Sequence, residues 1–321
     1  MAARTPVLRF ATWYWGDAIA IDGLLAADAA GAGAWRPQVV DTLARWHRFC
    51  PPGFDDALAP GRAILELVRD DRLGSEVAER FGDALDRLPA LEGPIPALEP
   101  HRPQFRFGFC IDALYHLPSA LVLLARFRAD GGATRRAFDL CTNGMALLRC
   151  ETGWAQWYDV ARRANNQVAW SRGLGWALLG LLDLLEVTEQ DVDFAADRSH
   201  IQAIASSVLE ALARTQRPSG HWAAVLGAPD CPEETSTAAF YVAGSLHPQA
   251  MRLGWRDRRS LEAALQACTE AVSTEGVYRG VSGDVLPSWD PATYRTFVCE
   301  PSPWGQGAAL RALAAVAAAR G

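Results

Sequence analysis

Segments that are apolar on nearly every side alternate along this chain with segments that carry one apolar stripe and a charged face. A helix that is apolar all round has to be buried all round, whereas a one-striped helix covers a core and faces water. Period-three-and-four spacing predicts helices over 16–30, 36–48, 60–70, 75–88, 111–129, 134–149, 173–187, 197–217, 233–247, 257–273 and 304–320. The odd-numbered members, such as IDALYHLPSALVLLARF and LGWALLGLLDLLE, are the apolar ones, and the even-numbered members, such as RPQVVDTLARWHRF, are amphipathic. Inner helix, short turn, outer helix, five times over with a sixth inner helix at the end, is what two concentric helical rings produce. The expected fold class is all-α, an (α/α)6 barrel in one domain spanning 1–321, lacking one outer helix. Residues 1–12 or a second subunit, as in a homodimer, are expected to cover that gap.

Composition narrows the chemistry. The 321 residues are 50% hydrophobic and 21% charged, enough for a large core. All 31 basic residues are Arg, so Schiff-base chemistry and the P-loop lysine are excluded. The net charge of −6 and the lack of a basic block argue against nucleic acid as a partner. Nothing at the N-terminus resembles a secretory signal and no stretch approaches spanning length, so no membrane partner and a cytoplasmic location are expected. Seven cysteines without a CxxC pair and six histidines without HxH or HxxxH spacing favour free thiols, with no metal and no cofactor.

If the inner helices run parallel, their starts share one mouth, and the polar and aromatic clusters fall at those starts. They are Trp13, Trp15 and Asp17; Asp55 and Asp56; Asp112; Trp170, Arg172 and Trp176; Glu234 and Ser236; Trp304 and Gln306. Helix N-termini and an arginine suit an anionic ligand, and tryptophans suit the apolar face of a sugar, so a carbohydrate acid is the expected ligand. Plainer roles compete: Asp17, Asp56 and Glu234 can cap helices, Arg172 can brace a loop, and His116, one turn after Asp112, can be a core histidine. Asp112, between Phe109-Cys110-Ile111 and Ala113-Leu114-Tyr115, reads as a buried carboxyl, which is costly unless it is used. Three connections, 89–103, 150–171 and 274–303, are long enough to carry function.

These motifs, taken in order, resemble the unsaturated uronyl hydrolases of glycoside hydrolase families 88 and 105, in the six-hairpin glycosidase superfamily. Trp170-Ser171-Arg172-Gly173-Leu174-Gly175-Trp176 is similar to their W-x-R-G-x-x-W, and Asp112-Ala113-Leu114-Tyr115 to their D-x-L-Y/M. Phe54-Asp55-Asp56 before Gly61, Gly220-His221-Trp222 through Glu234-Thr235-Ser236, and Trp304-Gly305-Gln306-Gly307 match further segments. The resemblance implies an (α/α)6 barrel and hydration of the C4=C5 double bond of a 4,5-unsaturated uronic acid at the non-reducing end of a small oligosaccharide. It implies Asp112 as acid and base, and Asp56 as the second active-site carboxylate. Arg172 would clamp the uronate, Trp176 with Trp13 or Trp15 would form stacking walls, and His116, Gln156, Glu234, Ser236, Trp304 and Gln306 would line the site. The chain departs from the pattern at Leu174, where the family has Asn or Gln, at Gln156, which replaces a loop histidine, and at His116, where an apolar residue is usual. A conventional inverting glycosidase acting on a saturated uronoside, or a non-catalytic carbohydrate-binding barrel, are the alternatives.

Overall fold

The computed structural model describes residues 1–4, 15–49, 60–87, 90–92, 95–96, 108–255, 257–295 and 301–320. Thirteen helices are present among them: α1 (Trp15–Ala29), α2 (Arg36–Phe49), α3 (Gly61–Arg69), α4 (Ser75–Asp86), α5 (Ala113–His116), α6 (Pro118–Arg128) and α7 (Gly131–Leu147). The rest are α8 (Ser171–Val187), α9 (Ala195–Thr215), α10 (Thr235–Ser245), α11 (Pro248–Arg252), α12 (Arg258–Glu270) and α13 (Pro303–Arg320). The segment expected as one helix over 111–129 is two, because Pro118 lacks the N–H that would continue α5 and instead starts α6.

The helices form the expected double ring. Packing runs α1–α3–α6–α8–α10–α13 and back to α1, which closes the inner ring, with α5 wedged against α8. Outside it, α2, α4, α7, α9 and α12 pack on α1, α3, α6, α8 and α10. The sequence explains the assignment residue by residue. Helix α8 is buried continuously from Ser171 to Leu185, and each of its enclosed leucines contributes roughly 1.5–3 kcal/mol of burial. Helix α12 buries only Ser260, Ala264, Ala267 and Cys268, one stripe.

The first and last inner helices meet backbone to backbone. A Cβ on Gly307 would lie 2.3 Å from the Ile19 carbonyl oxygen, and one on Gly23 would lie 2.6 Å from that of Gly307. Only glycine permits that approach. Among the described residues α13 has no outer helix; its last turns, from Ala314 to Ala319, line an open groove of about 700 Å³ with Ala26 and Ala29 of α1 and Ala30 just after it. Met1–Arg4 lies instead at the other end of α13, where the Met1 carbonyl accepts a hydrogen bond from Gln306 at 3.0 Å. None of the described helices is long and apolar enough to cross a membrane.

Helices α1, α8 and α13 run parallel, since Trp15, Trp176 and Trp304 meet near their starts and Asp22, Asp183 and Arg311 gather two turns or more further on. At that deeper level, the floor, α1, α3, α5, α8 and α13, with His247 just after α10, contribute polar side chains to one network. Asp183 of α8 accepts a bidentate pair from Arg311 of α13 at 2.9 and 3.0 Å. It also pairs with Arg62 of α3 and lies 3.3 Å from His247 Nε2, just after α10. Tyr115 of α5 donates to Asp22 of α1, and Arg311 donates to the Tyr115 oxygen at 3.0 Å. Asp183, Glu186 and His247 lie close enough to ligate a cation, but two guanidinium groups already neutralise Asp183, which removes the charge a cation site needs.

Candidate active site

Asp112 stands where a short strand becomes a helix. Residues 108–110 pair antiparallel with 157–159, and the Ile111 N–H donates to the Gln156 carbonyl at 2.9 Å, so the backbone entering α5 is fixed. Asp112 is the N-cap residue of α5, yet its side chain makes no capping bond. Its Oδ1 is buried without a hydrogen-bond partner among the described residues. Burial pushes its pKa up to about 7, and the negative charge of Asp284 adds to the rise; Arg172 and a hydrogen bond from the Cys110 thiol oppose it.

Arg172, in the first turn of α8, is fully buried and does not reach bulk solvent. One Nη donates to Glu234 Oε2 at 3.2 Å, to the Ser282 carbonyl at 2.7 Å and to Ser282 Oγ at 2.6 Å; the other donates to the Gly283 carbonyl at 2.8 Å. The guanidinium also lies 4.4 Å from the centre of the Trp170 ring and 5.6 Å from that of Trp304. Glu234 caps α10 by accepting from the Ser236 N–H at 2.9 Å and its Oγ at 2.5 Å, and takes the Ser282 N–H at 3.0 Å on its other oxygen. The plainer sequence readings of both residues, cap and brace, are therefore what the geometry shows. Five hydrogen bonds on one carboxylate, the fifth from the Ser282 hydroxyl, and four on one guanidinium offset the cost of burying the pair.

Against this pair packs an aromatic layer. Trp15 stacks on Trp304 at 5.0 Å and meets Trp176 edge-on at 5.8 Å. Trp176 in turn contacts Tyr115, His116 and Phe240 at 4.9, 5.5 and 4.7 Å. Trp176 is wholly enclosed, so the expectation of a stacking wall is corrected: it supports the residues that line the opening, and its rings have no open face. His116 is likewise buried in this cluster.

Three further expected ligand residues hold protein. Gln156 donates to the Val285 carbonyl at 3.0 Å and accepts from the Tyr294 hydroxyl. Gln306 accepts the Tyr278 N–H at 3.0 Å and donates to the Met1 and Gly276 carbonyls, each at 3.0 Å. Ser236 serves Glu234. Together with Arg172 they fasten the connection from 276 to 294 over the starts of the inner helices. Trp13, Asp55 and Asp56 lie outside the described residues. Asp284, on the fastened connection, was not singled out from the sequence; the available signal was a lone carboxylate after Ser282-Gly283 in a long Gly/Pro-rich loop.

The structure brings Trp15, Asp112, Arg172, Trp176, Glu234 and Trp304 to one end of the barrel. Residues 153–319, just over half of the chain, match the model of Glycosyl Hydrolase Family 88. The chain belongs to that family. It is a glycoside hydrolase. No curated protein sequence matches it, but solved structures do. A possible member of the GH105 family from Klebsiella pneumoniae superposes with a TM-score of 0.85 at 18% identity, over 96% of this chain and 83% of its own. A family 105 glycoside hydrolase from C. acetobutylicum gives 0.79 at 16% identity, over 98% and 96%. An unsaturated glucuronyl hydrolase from Bacillus sp. GL1, responsible for the degradation of glycosaminoglycan, gives 0.71 at 16%, over 93% and 85%. At these identities the likeness is one of fold.

Proposed function

We propose that this family 88 hydrolase hydrates the C4=C5 double bond of a 4,5-unsaturated uronic acid at the non-reducing end of lyase-generated oligosaccharides, releasing the uronate. One observation carries the reading: at the open end of the barrel Asp112 has an Oδ1 shut off from solvent with no described hydrogen-bond partner, and that burial pushes its pKa up to about 7. Protonating an enol ether at carbon is slow, and it needs an acid that keeps its proton until the substrate is in place. The Asp112 carboxyl gives its proton to C4 while positive charge develops at C5. Water adds at C5 and returns a proton to Asp112. The resulting hemiketal opens, and the bond to the leaving sugar breaks.

The other groups act around that step. Arg172 supports the uronate carboxylate through its charge, with the N-termini of α8, α10 and α13 adding partial positive charge; its fork is engaged by Glu234 and the 282–283 carbonyls. Asp56 holds the attacking water, as the resemblance implies, and Trp13 and Trp15 offer apolar faces to the sugar. No cofactor enters the reaction.

Incubation with unsaturated disaccharides from pectic, glycosaminoglycan and ulvan polymers is expected to abolish their enol-ether ultraviolet band, and heavy water is expected to leave one deuterium on C4. Cleavage of a saturated uronoside without carbon-bound deuterium would replace this reading with inverting hydrolysis. Ligand binding with no turnover of any of these sugars would leave a carbohydrate-binding barrel.

A further inference from the structure

A helix that is apolar all round belongs inside, and the last turns of α13 break that rule. From Leu313 to Ala319 the chain reads Leu-Ala-Ala-Val-Ala-Ala-Ala, and the described residues bury none of these side chains. The other inner helices each carry an outer helix of this chain; at α13 that place is the open groove between α13 and α1. Met251 of α11 lines the same groove and is 45% exposed, among the few large apolar side chains that the described surface leaves in water. The charged residues along it carry both signs, Glu186 against Arg252 and Arg311. Residues 1–12, expected from the sequence as a cover, begin elsewhere: Met1 is held by Gln306, and Trp15 stacks on Trp304, so both flanks of 5–14 lie at the mouth.

We propose that a second copy of this chain docks in the groove, in a two-fold pair in which Met251 of each copy enters the alanine-lined hollow of the other. A two-fold interface uses one patch twice, so it needs a face that is complementary to itself. This face meets the condition: it carries a hollow and an exposed side chain able to fill it, and charges of both signs. Methionine adapts its shape to irregular hollows, and alanines let facing helices approach closely. A strongly charged partner or an anionic membrane surface is a poorer match, because Arg252 is already paired with Glu189 and Arg311 with Asp183. The groove lies along the last turns of α13 and the mouth at its first, so pairing leaves both mouths open.

The test is the mass of the full chain in solution, measured by light scattering during size-exclusion chromatography. Twice the mass of one chain is expected at about 10 μM and above, where an interface of standard size holds. Met251→Glu and Ala318→Arg change positions that are exposed in the single chain, and each is expected to halve that mass while leaving the circular dichroism spectrum unchanged. Mixed in equal amounts, the two variants are expected to restore the doubled mass. One contact of the mixed pair then sets glutamate against arginine, and the other keeps Met251 against Ala318. A native protein of single-chain mass at these concentrations overturns the proposal. So does a dimer that survives both substitutions, which another face would hold, and so do monomeric variants that stay monomeric when mixed.

Discussion

At the floor of the barrel Asp183 lies against two guanidinium groups and an imidazole, whereas at the mouth Arg172 is the arginine that acts on Asp112 among the described residues, and it is already committed to Glu234. Asp183 is enclosed on its helix, and Asp112, half-buried ahead of α5, has its Oδ1 shut off from solvent; loss of water raises both. At the floor the Arg311 and Arg62 charges outweigh it and hold Asp183 well below the usual carboxylate range. At the mouth the opposing charge is spent elsewhere, and Asp112 stays near 7. What decides the state of a buried acid here is the allocation of guanidinium groups, and this barrel places the surplus where structure is needed and the deficit where a proton is to be used.

The comparison can be broken at its mouth end first. Asp112→Asn removes the transferable proton and is expected to lower kcat by about 10³-fold or more, while leaving the urea midpoint at pH 7 no lower than that of the native protein. A lost activity accompanied by unfolding would mean that Asp112 is structural after all. At the floor the reverse is expected. Asp183→Asn leaves Arg62 and Arg311 buried without their main counter-charge, a cost of about 3–5 kcal/mol in urea unfolding.

Asp22 sharpens the contrast, because it shares the floor with the same arginines and still has its pKa raised, to about 6, chiefly by burial. A folded value above the unfolded one means that its contribution is complete below about pH 4 and is lost as pH rises through 6. Unfolding free energy should therefore fall by about 3 kcal/mol across that window, and Asp22→Asn should flatten it there. A pH series of urea midpoints showing the same slope in native protein and variant would reject the assignment. The smallest effect belongs to His247→Gln, which exchanges a single partner of Asp183 and leaves both arginines in place; it should cost about 1 kcal/mol.

The double ring is legible in the amino-acid sequence, in helices such as 173–187 whose all-round apolar surface leaves no other place for them. The short strands 108–110, 157–159 and 164–165 are not, since two or three residues carry no periodicity. At the site, the positions of Asp112, Arg172 and Glu234 can be read because charged residues at the starts of apolar helices stand out. The roles of Gln156, Ser236 and Gln306 cannot, because a polar side chain that holds a loop carbonyl and one that holds a sugar hydroxyl look alike in sequence. The floor network leaves a trace in single charges such as Asp183 within Leu-Leu-Asp-Leu-Leu, which demand partners; identifying those partners needs the fold, as Arg62 and Arg311 are far away in the chain.

The glycine seam between α1 and α13 has a consequence for how the molecule is made. The inner ring closes only when the eighteen residues of α13 dock against α1, a pairing between helices far apart in sequence. During synthesis from the N-terminus, α1 therefore waits with an apolar flank uncovered until α13 leaves the ribosome, and acquiring that stave is the step at which a chaperone has the most to shield.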